Sequence, residues 1–250
     1  MKYRLTNNTK TTSTGVKLHQ IQRISDGELG GWIEKETNLS QKGSAWVSGN
    51  ARVYENAWVF GNARVYGSAW VYGNAWVSGN ARVYENTRVS GNASVCGYAR
   101  VYENARVFEN ARVCGNASAF ENARVYGNAS VFGNARVCGD TWAFGDARVC
   151  GDAWVCENAG VCGNARVFGN ASVFGNARVF GNASVSGHAR VYENARVYGN
   201  ARVCGDAWVY ENASVFEDAR VFGDARVFGD AYVEGNAPKK KQFKGCTIRD

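Results

Sequence analysis

The sequence predicts an all-β chain folded as a single parallel β-solenoid, and three observations predict it. From Ala45 to Asn236 the chain is an unbroken run of thirty-two hexapeptides with the consensus Ala-Arg-Val-Tyr/Phe-Gly-Asn. The first position is alanine except at Thr87 and Thr141, and the third is valine except at Ala119 and Ala143. The fifth and sixth positions are nearly always Gly or Glu followed by Asn or Asp. A helix needs apolar positions near a period of about 3.6 residues, and a strict six does not supply it. Gly-Asn every six residues would also break a helix. Each unit is therefore a short strand and a turn.

Residues 1–44 differ in composition and read as an N-terminal cap. With Ile248 apart, they hold all the leucine and isoleucine of the chain. His19-Gln20-Ile21-Gln22-Arg23-Ile24 alternates polar and apolar like a half-buried strand, and Ser25-Asp26-Gly27 reads as the turn after it. Leu29 and Trp32 are placed to cover the first coil. A cap is needed because the open end of a solenoid presents unpaired strand edges.

In residues 45–236 successive side chains alternate, so inward Ala and Val at positions one and three send positions two and four outward. Gly-Asn turns the corner, because both residues tolerate left-handed backbone. One side cannot bury its own apolar face, whereas stacked coils can. Three sides give 18 residues per coil and between ten and eleven coils, about 50 Å at about 4.8 Å each. The alternative is a flattened two-sided coil of 12, which suits a narrow alanine–valine core. The three-sided form stacks Arg64, Arg82 and Arg100 in one ladder and Arg88, Arg106 and Arg124 in another. It also stacks Cys96 on Cys114 and Cys138 on Cys156, where two sides would stack Cys138, Cys150 and Cys162.

Residues 237–250 form a basic C-terminal tail. Pro238 ends the repeat and Lys239, Lys240, Lys241 and Lys244 follow, a charged stop that discourages edge pairing. The formal charge of +7 divides into +3 in residues 1–44, zero in the array and +4 in the tail. A long nucleic-acid surface should carry its surplus where the surface lies, so the neutral array argues against one. The absence of a long apolar run predicts no membrane span and a cytoplasmic protein with free thiols.

Little in the array suggests chemistry. The two histidines of the chain are His19 and His188, and no Cys-x-x-Cys pair occurs, so no metal or cofactor site is expected. His188 is the one formal candidate for a catalytic general base. It occupies a corner position otherwise filled mostly by Asn and Asp, and histidine is one base change from an asparagine codon. Seven of the cysteines likewise share position four with Tyr, Phe and Ser. Position two carries seventeen arginines and seven tryptophans. Interleaved arginine and aromatic rings can hold single-stranded nucleic acid, and they are also an ordinary packing motif. Nine tyrosines and eleven phenylalanines at position four would stack into outward apolar ridges of the kind that bind a partner or another copy.

Hexapeptides with an aliphatic residue two positions after a small one resemble the left-handed parallel β-helix of the hexapeptide-repeat acyltransferase superfamily. Leu29-Gly30-Gly31-Trp32-Ile33-Glu34, followed by Asn38-Leu39-Ser40-Gln41 and Ala45-Trp46-Val47, is similar to the N-terminal segment of bacterial and prophage-encoded YdcK-like hexapeptide-repeat proteins. The resemblance spans about residues 1–236. It implies a three-sided left-handed coil and, through the superfamily, an acyltransferase activity. This chain departs from those enzymes by placing aromatics or cysteine after the valine, and it lacks the loop excursions that build their sites. The expected function is a non-catalytic, self-associating scaffold. An acyltransferase-like enzyme and a nucleic-acid surface are the alternatives.

Overall fold

The computed structural model describes residues 1–234 throughout, and the strands Asn236–Ala237, Gln242–Lys244 and Thr247–Ile248 as backbone. Pro238, Lys239, Lys240 and Lys241, on which the expectation of a charged stop rests, lie outside the described residues, as does the side chain of Lys244. By contacts the chain divides into two compact units, Met1–Asn122 and Ala123–Asp250.

The first unit begins with three longer strands, β1 (Tyr3–Thr11), β2 (Lys17–Arg23) and β3 (Leu29–Ile33). β1 and β2 pair antiparallel, as do β2 and β3. β3 then pairs in parallel with Arg52–Val53, Trp32 opposite Arg52 and Ile33 opposite Val53, which converts a hairpin cap into the first rung of the solenoid. The glycine pair makes the approach possible. A Cβ on Gly30 would lie 2.5 Å from Ile21 Cγ1, and one on Gly31 would lie 2.7 Å from Val47 Cγ1. Buried Asn38 seals the cap to the coil: its side-chain amide donates to the Glu55 and Ala57 carbonyls at 3.0 and 2.8 Å. The hydroxyl of buried Tyr3 lies 2.7 Å from the Leu39 carbonyl, and the Lys2 ammonium donates to the Ser40 and Ala45 carbonyls at 2.6 and 2.7 Å. Burial and the neighbouring Arg23 pull the Lys2 ammonium below its ordinary pKa. Trp32 covers the coil as expected, but Leu29 does not. It is 50% exposed, at the start of β3 where the pairing with β2 is irregular, while Gly30 to Ile33 are all buried.

Each hexapeptide then forms a two-residue strand, and strands pair in parallel with those eighteen residues away. Arg82 lies between Arg64 and Arg100, and Arg88 is opposite Arg106. In the second unit Arg136 is opposite Trp154 and Arg178 opposite Arg196. This register establishes three sides per coil and excludes the two-sided alternative, which would pair residues twelve apart. Parallel pairing continues past the repeat at shorter separations, since Gln242–Lys244 and Thr247–Ile248 pair with Arg226–Phe228 and Tyr232–Val233, sixteen and fifteen residues apart.

Inside both units the core is alanine and valine, every Val of position three fully buried. Two methyls and one methyl per unit are a modest hydrophobic payload, at about 0.8 kcal/mol per buried carbon. Cohesion comes as much from the backbone ladders, such as Arg64 N–H to the Ala81 carbonyl at 2.9 Å and Tyr66 N–H to the Val83 carbonyl at 3.0 Å. Thr87 and Thr141 are buried without an unsatisfied hydroxyl, because each donates to the carbonyl three residues back, at Tyr84 and Cys138.

Candidate functional site

What the coil presents to its surroundings is a set of ladders, one residue per rung. Position four forms the first. In the first unit Tyr66, Tyr84 and Tyr102 stack in series with Phe120, centroids 4.8 to 5.0 Å apart and planes within 4°. In the second, Phe174, Tyr192, Tyr210 and Phe228 do the same at 4.9 to 5.1 Å. The spacing is that of adjacent strands, so the backbone sets it and the rings adopt offset stacking. Tyr54 is nearly covered by its neighbours, and burial pushes its hydroxyl pKa up to about 12.

Position two forms the second ladder, and in places a tryptophan lies between two arginines. Trp70 lies between Arg52 and Arg88, with guanidinium-to-ring distances of 4.8 and 5.1 Å. Trp208 lies between Arg190 and Arg226 at 5.1 and 4.9 Å. These contacts are cation–π interactions held by the coil spacing. Several tryptophans still face solvent: Trp58 is 40% exposed, Trp76 52%, and Trp142 and Trp154 48% each.

The corners carry a ladder that the consensus spelled without revealing its role. Asn56, Asn74, Asn92 and Asn110 are linked in series, each side-chain amide donating to the next oxygen at 3.0 to 3.2 Å. Asn158, Asn176, Asn194, Asn212 and Asp230 form an equivalent series in the second unit. Asparagine recurring at a separation of eighteen was the available signal. Two corner glutamates also bond to the next coil: the Glu55 and Glu157 carboxylates accept the backbone N–H of Gly73 and Gly175 at 2.7 and 2.8 Å.

His188 lies at an exposed corner beside a shallow depression of about 500 Å³ lined by Arg190, Asp206, Trp208, Asp224 and Arg226. Its ring has no hydrogen-bond or ion-pair partner among the described residues. No cluster of three or more His, Cys, Asp or Glu placed to hold a metal occurs among the described residues. The thiol expectation needs one correction. Cys96 and Cys114 are joined in a disulfide, because residues eighteen apart share a side and their Cα atoms lie 4.6 Å apart. Cys150, Cys162 and Cys204 remain thiols, and burial raises the pKa of the Cys150 and Cys162 thiols. One feature escaped the consensus. Gly160 is the single glycine at position two, and it leaves a notch of about 340 Å³ between Trp142 and Arg178.

Coils of eighteen residues with a dry Ala/Val interior and laddered outer rungs define a three-sided parallel β-solenoid. Six segments of the chain match the YdcK β-solenoid repeat, at residues 45–60, 57–73, 75–91, 99–115, 123–139 and 195–211. No curated protein matches it in sequence. Among solved structures it is similar to a Desulfovibrio desulfuricans G20 protein described as a candidate acetyltransferase, at 10% identity and a TM-score of 0.31. That likeness covers 75% of this chain and 66% of the other, so this chain spans just under two thirds of that protein's length. No helix among the described residues is long and apolar enough to cross a membrane.

Proposed function

We propose that the protein is a non-catalytic scaffold that self-associates laterally through its outer aromatic rungs. The observation that carries this reading is the exposure of rings held in regular rows. Trp58 and Trp76 occupy neighbouring rungs of one face and contact each other edge-on at 6.4 Å, with Phe60 stacked on Trp58 at 4.1 Å. A monomer seldom leaves such rows uncovered. The zero net charge of the array favours a protein partner over nucleic acid, and His188 has no partner that would make it a base. The same reading includes a left-handed winding, a prophage-linked origin suggested by the Leu29–Glu34 resemblance, and a cytoplasmic location, where reducing thiols would open the Cys96–Cys114 bridge.

Light scattering coupled to size exclusion tests it. The expected result is a discrete oligomer that the double substitution Trp58→Ser and Trp76→Ser dissociates while circular dichroism stays β-rich. A strict monomer at high protein concentration would remove the proposal. Saturable acyl-CoA binding lost in His188→Ala would replace it with the enzyme reading.

A further inference from the structure

We propose that the notch at Gly160 is a binding site for a neutral, planar heteroaromatic group that carries N–H donors, of the kind found in an aminopurine base. Gly160 pairs with Trp142 on one side and Arg178 on the other, both in the same position-two row. With no side chain at 160, that row lacks one rung. Two strand spacings separate its neighbours, about 9.6 Å at about 4.8 Å each, which leaves room for one ring at the native rung spacing. The position-four rung of the same coil is also small, Cys162, so the notch is two side chains wide. Its further lining is Phe144, Asp140 and Asn158.

The walls select the guest. Trp142 offers an exposed ring face, and its other face already carries Arg124 at 5.8 Å. Arg178 closes the opposite side. A flat aromatic guest would thus complete a series of arginine, tryptophan, guest and arginine. The chain already holds a ring between two arginines with its own residues at Arg52–Trp70–Arg88. A cationic guest is disfavoured by Arg178, and an anionic one by Asp140. The rim supplies acceptors. An ionised Asp140 has no N–H to donate, so it cannot continue the corner ladder into Asn158. The Asn158 amide N–H donates onward to Asn176 at 3.3 Å, and no hydrogen bond joins Asn158 to Asp140. Asp140 and Asn158 together therefore favour a guest with an amino group or ring N–H. Base stacking on aromatic and arginine platforms is the same physics that holds unpaired bases elsewhere.

The test uses the full chain with adenosine as probe, followed by ligand-detected NMR and calorimetry. Gly160→Trp reinserts the missing rung and is expected to weaken adenosine binding by roughly tenfold or more, about 1.4 kcal/mol. Gly160→Ala is the control. Its Cβ would meet nothing nearer than Arg178 Cγ at 4.0 Å, so it should fold like the parent and lose less binding than Gly160→Trp. Trp142→Ser should also lose binding. A single-stranded adenine oligonucleotide run in parallel separates a free nucleoside from a base on a strand. Tighter oligonucleotide binding with the same loss in Gly160→Trp would support the site and assign its base to a strand. Equal binding by parent and Gly160→Trp would overturn the proposal, as would no binding of adenosine or binding of indole alone.

Discussion

Glu103 lies at φ 60° and Glu121 at φ 59°, in the left-handed region where a side chain usually costs about 1–2 kcal/mol. Nine glutamates occupy corners in this conformation, alongside the glycines that do so freely. At Glu55 and Glu157 the carboxylate recovers part of that cost by capping a backbone N–H of the next coil. Glu103 has no such bond, so Glu103→Gly should stabilise the chain by about 1 kcal/mol in urea unfolding. The reverse change is harsher where coils are tight. A Cβ at Gly139 would lie 2.5 Å from the Glu157 carbonyl oxygen, and Gly139 already has φ 71°. Gly139→Ala should therefore cost about 2 kcal/mol or more, combining the backbone and crowding penalties. A neutral Gly139→Ala would mean that the corners pack more loosely than their geometry states.

A two-residue strand is too short to persist alone, and what stabilises it here is repetition along a row. The Asn158–Asp230 series gives a direct handle on that effect. Asn176→Asp keeps the acceptor for Asn158 but removes the donor to Asn194, and should cost about 1 kcal/mol in thermal or urea unfolding. An unchanged midpoint would show that the corner amides contribute nothing beyond the backbone ladders. The strands, their inward Ala and Val and the corner glycines were all legible in the sequence, because alternation and turn chemistry act over six residues. The Asn series was not read, since its partners lie eighteen residues apart and the number of sides had to be settled first. Leu29 went astray for a local reason: it stands at the irregular start of the β2–β3 pairing, which a strict alternation does not foresee. The disulfide was missed because compartment, rather than register, governed the reading of Cys96 and Cys114. The Gly160 notch was visible as a lone departure from consensus, but only the paired rungs gave it walls.

At the scale of the molecule, the first unit is closed at its N-terminal side by β1 to β3 and the buried Asn38. The second carries its coil beyond the hexapeptide repeat, to Thr247–Ile248. Both units display aromatic and arginine rows. The function proposed above and the notch at Gly160 both depend on the register that places residues eighteen apart on neighbouring rungs. Mild oxidation of the purified chain, followed by proteolysis and mass-spectrometric mapping of linked cysteines, tests that register most directly. The account predicts cross-linked peptides joining Cys96 to Cys114 and Cys138 to Cys156, the latter borne by strands Arg136–Val137 and Trp154–Val155. Links joining Cys138 to Cys150 or Cys150 to Cys162 would contradict it.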